Sequence, residues 1–118
     1  MRVFWKLDVG VRAHALTLEA YGETRTFPED ERFGLTAQIR RAAYSIAANI
    51  AEGCGRRSDG DFARFLDMAL GSASELEYLC FLARDLGYVE PAKYRRLQEE
   101  ILNVKRMLHG LARAVRRR

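Results

Sequence analysis

From Tyr94 to Val115 the apolar residues fall at Tyr94, Leu97, Ile101, Val104, Leu108, Leu111 and Val115, in steps of three and four. That spacing draws one narrow seam down a helix, and such a seam is stable only when other helices cover it. Pro91 suits the first position of this helix, which the sequence predicts to be the last of four. Strand-like alternation is absent, so the expected class is all-α, an antiparallel up-down-up-down four-helix bundle.

Three earlier segments supply the partners. A first helix is predicted from about Lys6 to Tyr21, with Leu7, Val11, Ala15, Leu18 and Tyr21 as its apolar line and Gly22 at its end. Phe27-Pro28-Glu29-Asp30-Glu31 reads as a turn into an acidic first helical turn, where carboxylates suit the N-terminal dipole. The second helix is expected from Leu35 to Glu52, with an apolar line through Leu35, Ile39, Ala42, Ile46 and Ile50. Ser58 and Asp61 form a capping pair for a third helix that Gly87 stops. The short connections favour antiparallel neighbours, and 118 residues with 48% hydrophobic content fit one domain over residues 1–118. Leu79, Cys80, Phe81, Leu82 and Ala83 are consecutive and wrap most of the third helix, more than one bundle contact covers. Leu79, Phe81 and Leu82 are therefore the expected interface with a neighbouring subunit.

Beside the apolar line of the second helix runs a polar one, Gln38, Arg41, Ser45, Asn49, Glu52 and Arg56. If the third helix folds back about residues 56 and 57, Glu52 faces Arg64 near Asp61, Arg41 lies beside Ser72, and Gln38 and Arg41 approach Glu75. Partly shielded, these groups would set helix register rather than carry chemistry.

Catalytic and metal constellations are poorly supported. A di-iron bundle needs Glu-x-x-His pairs, but Val11 and Arg106 stand three residues before His14 and His109. No Cys-x-x-Cys pair points to zinc, and Ser72, His109 and the aspartates lack a local nucleophile motif. Glu75 and Glu77 are two apart and face different ways. Gly53-Cys54-Gly55 before Arg56-Arg57-Ser58 suggests an anion cradle, but a helix-terminating turn explains the glycines without a ligand. The expectation is a protein without catalytic residues, metal, cofactor or small-molecule substrate.

Charge is unevenly placed. Residues 1–88 carry 11 Lys and Arg against 13 Asp and Glu, whereas residues 89–118 carry 9 against 3. Lys105, Arg106, Arg113, Arg116, Arg117 and Arg118 are the candidate nucleic-acid contacts, of the salt-sensitive kind that reads phosphate rather than base. Cys54 and Cys80 read as buried hydrophobes in a reducing compartment, and the N-terminal segment has neither a signal-peptide core nor a spanning helix. A cytoplasmic protein with no membrane partner is expected.

The ordered set Phe33-Gly34-Leu35, Gln38-Ile39-Arg40-Arg41-Ala42, Ser45-Ile46, Asn49-Ile50-Ala51-Glu52-Gly53 and Arg56, with Ala69-Leu70-Gly71-Ser72 and Glu75-Leu76-Glu77, resembles the proteins encoded in intervening sequences of bacterial 23S ribosomal RNA genes. Gly10 follows Val9 where that family often has Trp, while Trp5 sits earlier. The resemblance implies an antiparallel four-helix bundle assembled as a symmetric ring, a homopentamer. It also implies a shape similar to the accessory protein of diversity-generating retroelements, a basic pentamer that binds nucleic acid and a reverse transcriptase. Two functions are thus expected to compete: an oligomeric scaffold that binds RNA or DNA, and a protein-binding or structural oligomer.

Overall fold

A computed structural model describes residues 2–118, which hold four α-helices and no strand. The helices are α1 (Asp8–Thr24), α2 (Leu35–Cys54), α3 (Asp59–Asp85) and α4 (Pro91–Arg116), with 3-10 turns at Phe4–Lys6 and Glu29–Glu31. Each helix packs on two others in the cyclic order α1, α2, α3, α4, and the backbones of diagonal helices stay apart. The molecule measures 46 × 23 × 20 Å. At about 1.5 Å per residue, α3 spans most of that long axis.

Local chemistry fixes the ends. Ser58 Oγ accepts the Asp61 backbone N–H at 3.1 Å, capping α3 as its sequence suggests. Gly87 has φ +81°, and the Gly87 and Tyr88 amides bond to the Arg84 and Ala83 carbonyls at 2.9 Å, the double closure that lets a helix end without stranded acceptors. The Glu31 carboxylate accepts the Leu35 N–H at 3.0 Å and the Tyr88 hydroxyl at 3.0 Å, tying the start of α2 to the α3–α4 connection.

The line Leu35, Ile39, Ala42, Ile46 and Ile50 is buried as predicted. On α4, six of the seven seam residues are buried, but Ala112 takes the inner place expected for Leu111, which is only partly covered. The larger correction concerns α1. Val11 and Leu18 of the predicted line are 47% and 61% exposed, Tyr21 and Ala15 also face outward, and the inner face is instead Val9, Ala13, Leu16, Thr17, Ala20 and Thr24. Small residues fit there because α1 approaches the α2 backbone closely at Thr17. Thr17 Oγ donates to the Ala13 carbonyl at 2.8 Å, and the Ala43 carbonyl of α2 lies 3.2 Å from it, so a hydroxyl sits inside without an unpaired donor.

Cys54 and Cys80 are both buried and unbridged. Burial, reinforced by the charge of Glu19, pushes the Cys80 thiol up to about 12, while at Cys54 burial raises the pKa and the charge of Arg2 opposes it. A mildly alkaline alkylation time course followed by peptide mass spectrometry should therefore label Cys54 well before Cys80, which should react only on unfolding. Equal rates for the two would contradict this placement.

Candidate nucleic-acid interface

Basic side chains from three parts of the chain gather at one end of the molecule. Arg2, just before the first 3-10 turn, reaches the α2–α3 connection, where its Nη1 donates to the Arg56 carbonyl at 3.3 Å and its Nη2 pairs with Asp59. Its guanidinium lies 4.3 Å from the centre of the Phe62 ring, which is fully buried in the first turn of α3. Arg118, beyond the end of α4, comes to 3.8 Å from the same Asp59 carboxylate. Arg56 is held by Glu52 at 2.8 Å and lies 4.7 Å from the Phe65 ring centre. Arg2, Cys54, Gly55, Arg56, Arg57 and Arg118 line one open concavity of about 590 Å³.

A second depression of about 330 Å³ adjoins Arg116 and is lined also by Asp67, His109, Ala112, Arg113 and Arg117. Arg116 Nη1 donates to Asp67 at 3.3 Å. Farther along α4, Lys105 donates to Glu77 at 2.8 Å and Arg106 donates to Asn103 at 2.7 Å. The six predicted contacts therefore divide. Lys105, Arg116 and Arg118 have carboxylate neighbours, whereas Arg106, Arg113 and Arg117 have none within 4.0 Å among the described residues. Arg57 is likewise free of a carboxylate. Sequence reading passed over Arg2, whose partners lie more than fifty residues away, and set aside Arg56 and Arg57, although two arginines beside a Gly-Cys-Gly turn were the visible signal.

The polar stripe of α2 meets α3 with a different register from the predicted one. Arg41 Nη2 donates to Glu75 at 2.8 Å and Arg41 also bonds Gln38 at 3.3 Å, but Ser72 is 2.9 Å from Ser45 rather than beside Arg41. Side chains on a helix lean toward its own N-terminus, so folding the sequence about a turn misplaces facing partners by a few residues. Asn49 donates to the Ser45 carbonyl at 2.9 Å. Glu52 pairs with Arg56, and Arg64 with Asp61 at 3.7 Å, so the predicted Glu52–Arg64 contact does not form; a partner three or four residues away along the chain is easier to reach. Arg41 and Glu75 are 49% and 41% exposed, too wet for a shielded register pair. A double-mutant cycle with Arg41→Ala and Glu75→Ala should return about 0–1 kcal/mol, and several kcal/mol would contradict this.

Of the predicted interface residues, Phe81 is 42% exposed, while Leu79 and Leu82 pack partly against the core. Cys80 and Ala83 between them are buried inside the subunit. Phe81 borders a shallow depression with Tyr78, Tyr94 and Gln98. No helix among the described residues is long and apolar enough to cross a membrane.

A model of the family described as 23S rRNA-intervening sequence protein matches residues 5–110. The fold is similar to that of a protein of unknown function from the S23 ribosomal protein family of Bacteroides thetaiotaomicron, with a TM-score of 0.82 at 24% identity over 89% of this chain and 95% of that one. A search of curated proteins finds no match.

Proposed function

The chain belongs to the 23S rRNA-intervening sequence protein family, and from that premise we propose that it is a non-catalytic, oligomeric helical-bundle protein of the cytoplasm that binds RNA or DNA through its arginine-rich end. The observation that carries this reading is the convergence of Arg2, Arg56 and Arg57 with Arg118 on one depression, with Arg113, Arg116 and Arg117 lining a second toward the same end of α4. A helix C-terminus alone accounts for two or three basic residues. It does not account for arginines from the N-terminal segment and the α2–α3 turn at the same place. The aromatic rings at this end, Phe62 and Phe65, are buried against the arginines and present no open face on which a base could stack, so binding is to phosphate and tolerant of sequence.

In this reading the bundle is antiparallel and its copies form a ring, a pentamer by resemblance, through the α3 face around Phe81 and Tyr78. Several basic ends on one assembly raise the effective concentration for a single strand. Binding of mixed-sequence RNA and DNA across a salt series, with assembly mass measured alongside, tests the proposal. Affinity falling steeply with salt and independent of sequence is expected; no binding at low salt would overturn it. Phe81→Glu should dissociate the assembly while leaving the helical signal intact, because Phe81 is a half-exposed side chain. An unchanged assembly mass in that variant would move the interface elsewhere.

One observation favours the competing reading, a protein-binding scaffold. Val11, Leu18 and Tyr21 form an outward apolar stripe on α1 that the core does not use. If assembly leaves that stripe open and nucleic acid does not bind, a protein partner is the better account.

A further inference from the structure

We propose that the concavity lined by Arg2, Arg56, Arg57 and Arg118 binds a terminal phosphate group, so that the protein recognises the phosphorylated end of a strand and not only its backbone. This rests on the nucleic-acid reading above and adds the chemistry of the ligand. Four guanidinium groups line the space, and two carboxylates neutralise part of them, Asp59 shared between Arg2 and Arg118 and Glu52 on Arg56. Counted over side chains, four positive charges against two negative leave +2, and Arg57 has no carboxylate within 4.0 Å among the described residues. A phosphodiester carries one negative charge, whereas a phosphate monoester carries about 1.5 to 2 and three strong acceptor oxygens.

Geometry also favours an end. The concavity of about 590 Å³ is bordered by arginines from three segments, the N-terminal segment, the α2–α3 connection and the end of α4, so a group that enters it can meet several guanidinium forks at once, as a protruding chain end does, whereas Arg113 and Arg117 come from one stretch of chain. Donors are on hand. Arg118 reaches Asp59 only at 3.8 Å, longer than a hydrogen bond, so its fork is free to turn toward an anion. Arg2 is in turn braced by the Arg56 carbonyl and the Phe62 ring, which presets its place before a ligand arrives.

Fluorescence anisotropy with one short oligonucleotide, carrying a phosphate at one end or dephosphorylated, tests the proposal at fixed salt. The phosphorylated form should bind about tenfold more tightly, the size expected for one added charge-assisted contact. Combining Arg57→Gln with Arg118→Gln should abolish that preference, and Arg113→Gln should weaken both forms alike while the preference persists. Equal binding of the two forms by the wild type overturns the terminal-phosphate site and leaves the nucleic-acid reading standing. If neither form binds, the nucleic-acid reading fails, and calorimetry with inorganic pyrophosphate decides the site by itself. Heat of binding that disappears in the double variant sustains it, and no heat in the wild type overturns it.

Discussion

Phe62→Ala should destabilise the subunit by about 3–5 kcal/mol, the range for emptying a large aromatic site in a packed core. Phe62 is among the largest fully buried side chains and sits where α2 and α3 come together. A hypothetical Cβ on Gly53 would stand 3.1 Å from its ring and 2.9 Å from the Phe65 Cβ, so the wall around it has no slack on that side. Small domains are stable by only about 5–15 kcal/mol, and the change would remove a large share of that. The ring also carries the Arg2 guanidinium, so the variant should lose terminal-phosphate preference even at temperatures where it remains folded. Urea denaturation checks the first effect: a midpoint shift worth under 1 kcal/mol, at about unchanged slope, would mean that the site collapses and that the packing described here is wrong.

Changing Arg116, Arg117 and Arg118 together to Gln should lower affinity for every nucleic-acid sequence alike and flatten the salt dependence. Each phosphate contact adds about 0.9 to the logarithmic salt slope for duplex DNA and about 0.7 for single strands. Loss of three contacts thus lowers the slope by about 2 to 3. Asp67 and Asp59 temper the expectation, because Arg116 and Arg118 share their charge with these carboxylates, whereas Arg117 does not. Arg117→Gln alone should therefore account for a larger part of the loss than either neighbour. An unchanged slope in the triple variant would remove the end of α4 from the interface and favour a protein partner.

Large apolar residues at helical spacing were a good guide to α2 and α4, where one side of the helix carries nearly all of them. On α1 they misled. Val11, Leu18 and Tyr21 have the right period but face solvent, and the true inner face joins Val9 and Leu16 to the small residues Ala13, Thr17, Ala20 and Thr24, which the spacing of large apolar residues does not pick out. Close approach selects for size before apolarity, and a threonine passes as a core residue once a carbonyl takes its proton. Caps and stops were legible because their chemistry is local, as at Ser58 and Gly87. The basic end was half legible. The α4 arginines form a visible run, but Arg2 joins them only through tertiary contacts with Arg56, Asp59 and Phe62.

Ala13, Ala42, Ala43, Ala63, Ala69, Ala73 and Ala83 are all fully buried, and the apolar space enclosed by Ala20, Phe27, Ile39, Cys80 and Leu97 measures about 10 Å³, at most room for a single water. Each of these methyl groups belongs to the core that the four helices share. A longer side chain at any of them must push a whole helix outward, at a cost of about 1–3 kcal/mol, while a glycine gives up both packing and helix propensity. Single substitutions at these sites are thus closed in both directions, and sequence change can pass through them only as matched pairs, one residue growing as the one across from it shrinks. The outer surfaces of the helices carry no such condition, so lineages of this chain are free to exchange charge and recognition on the outside while the interior keeps its dimensions.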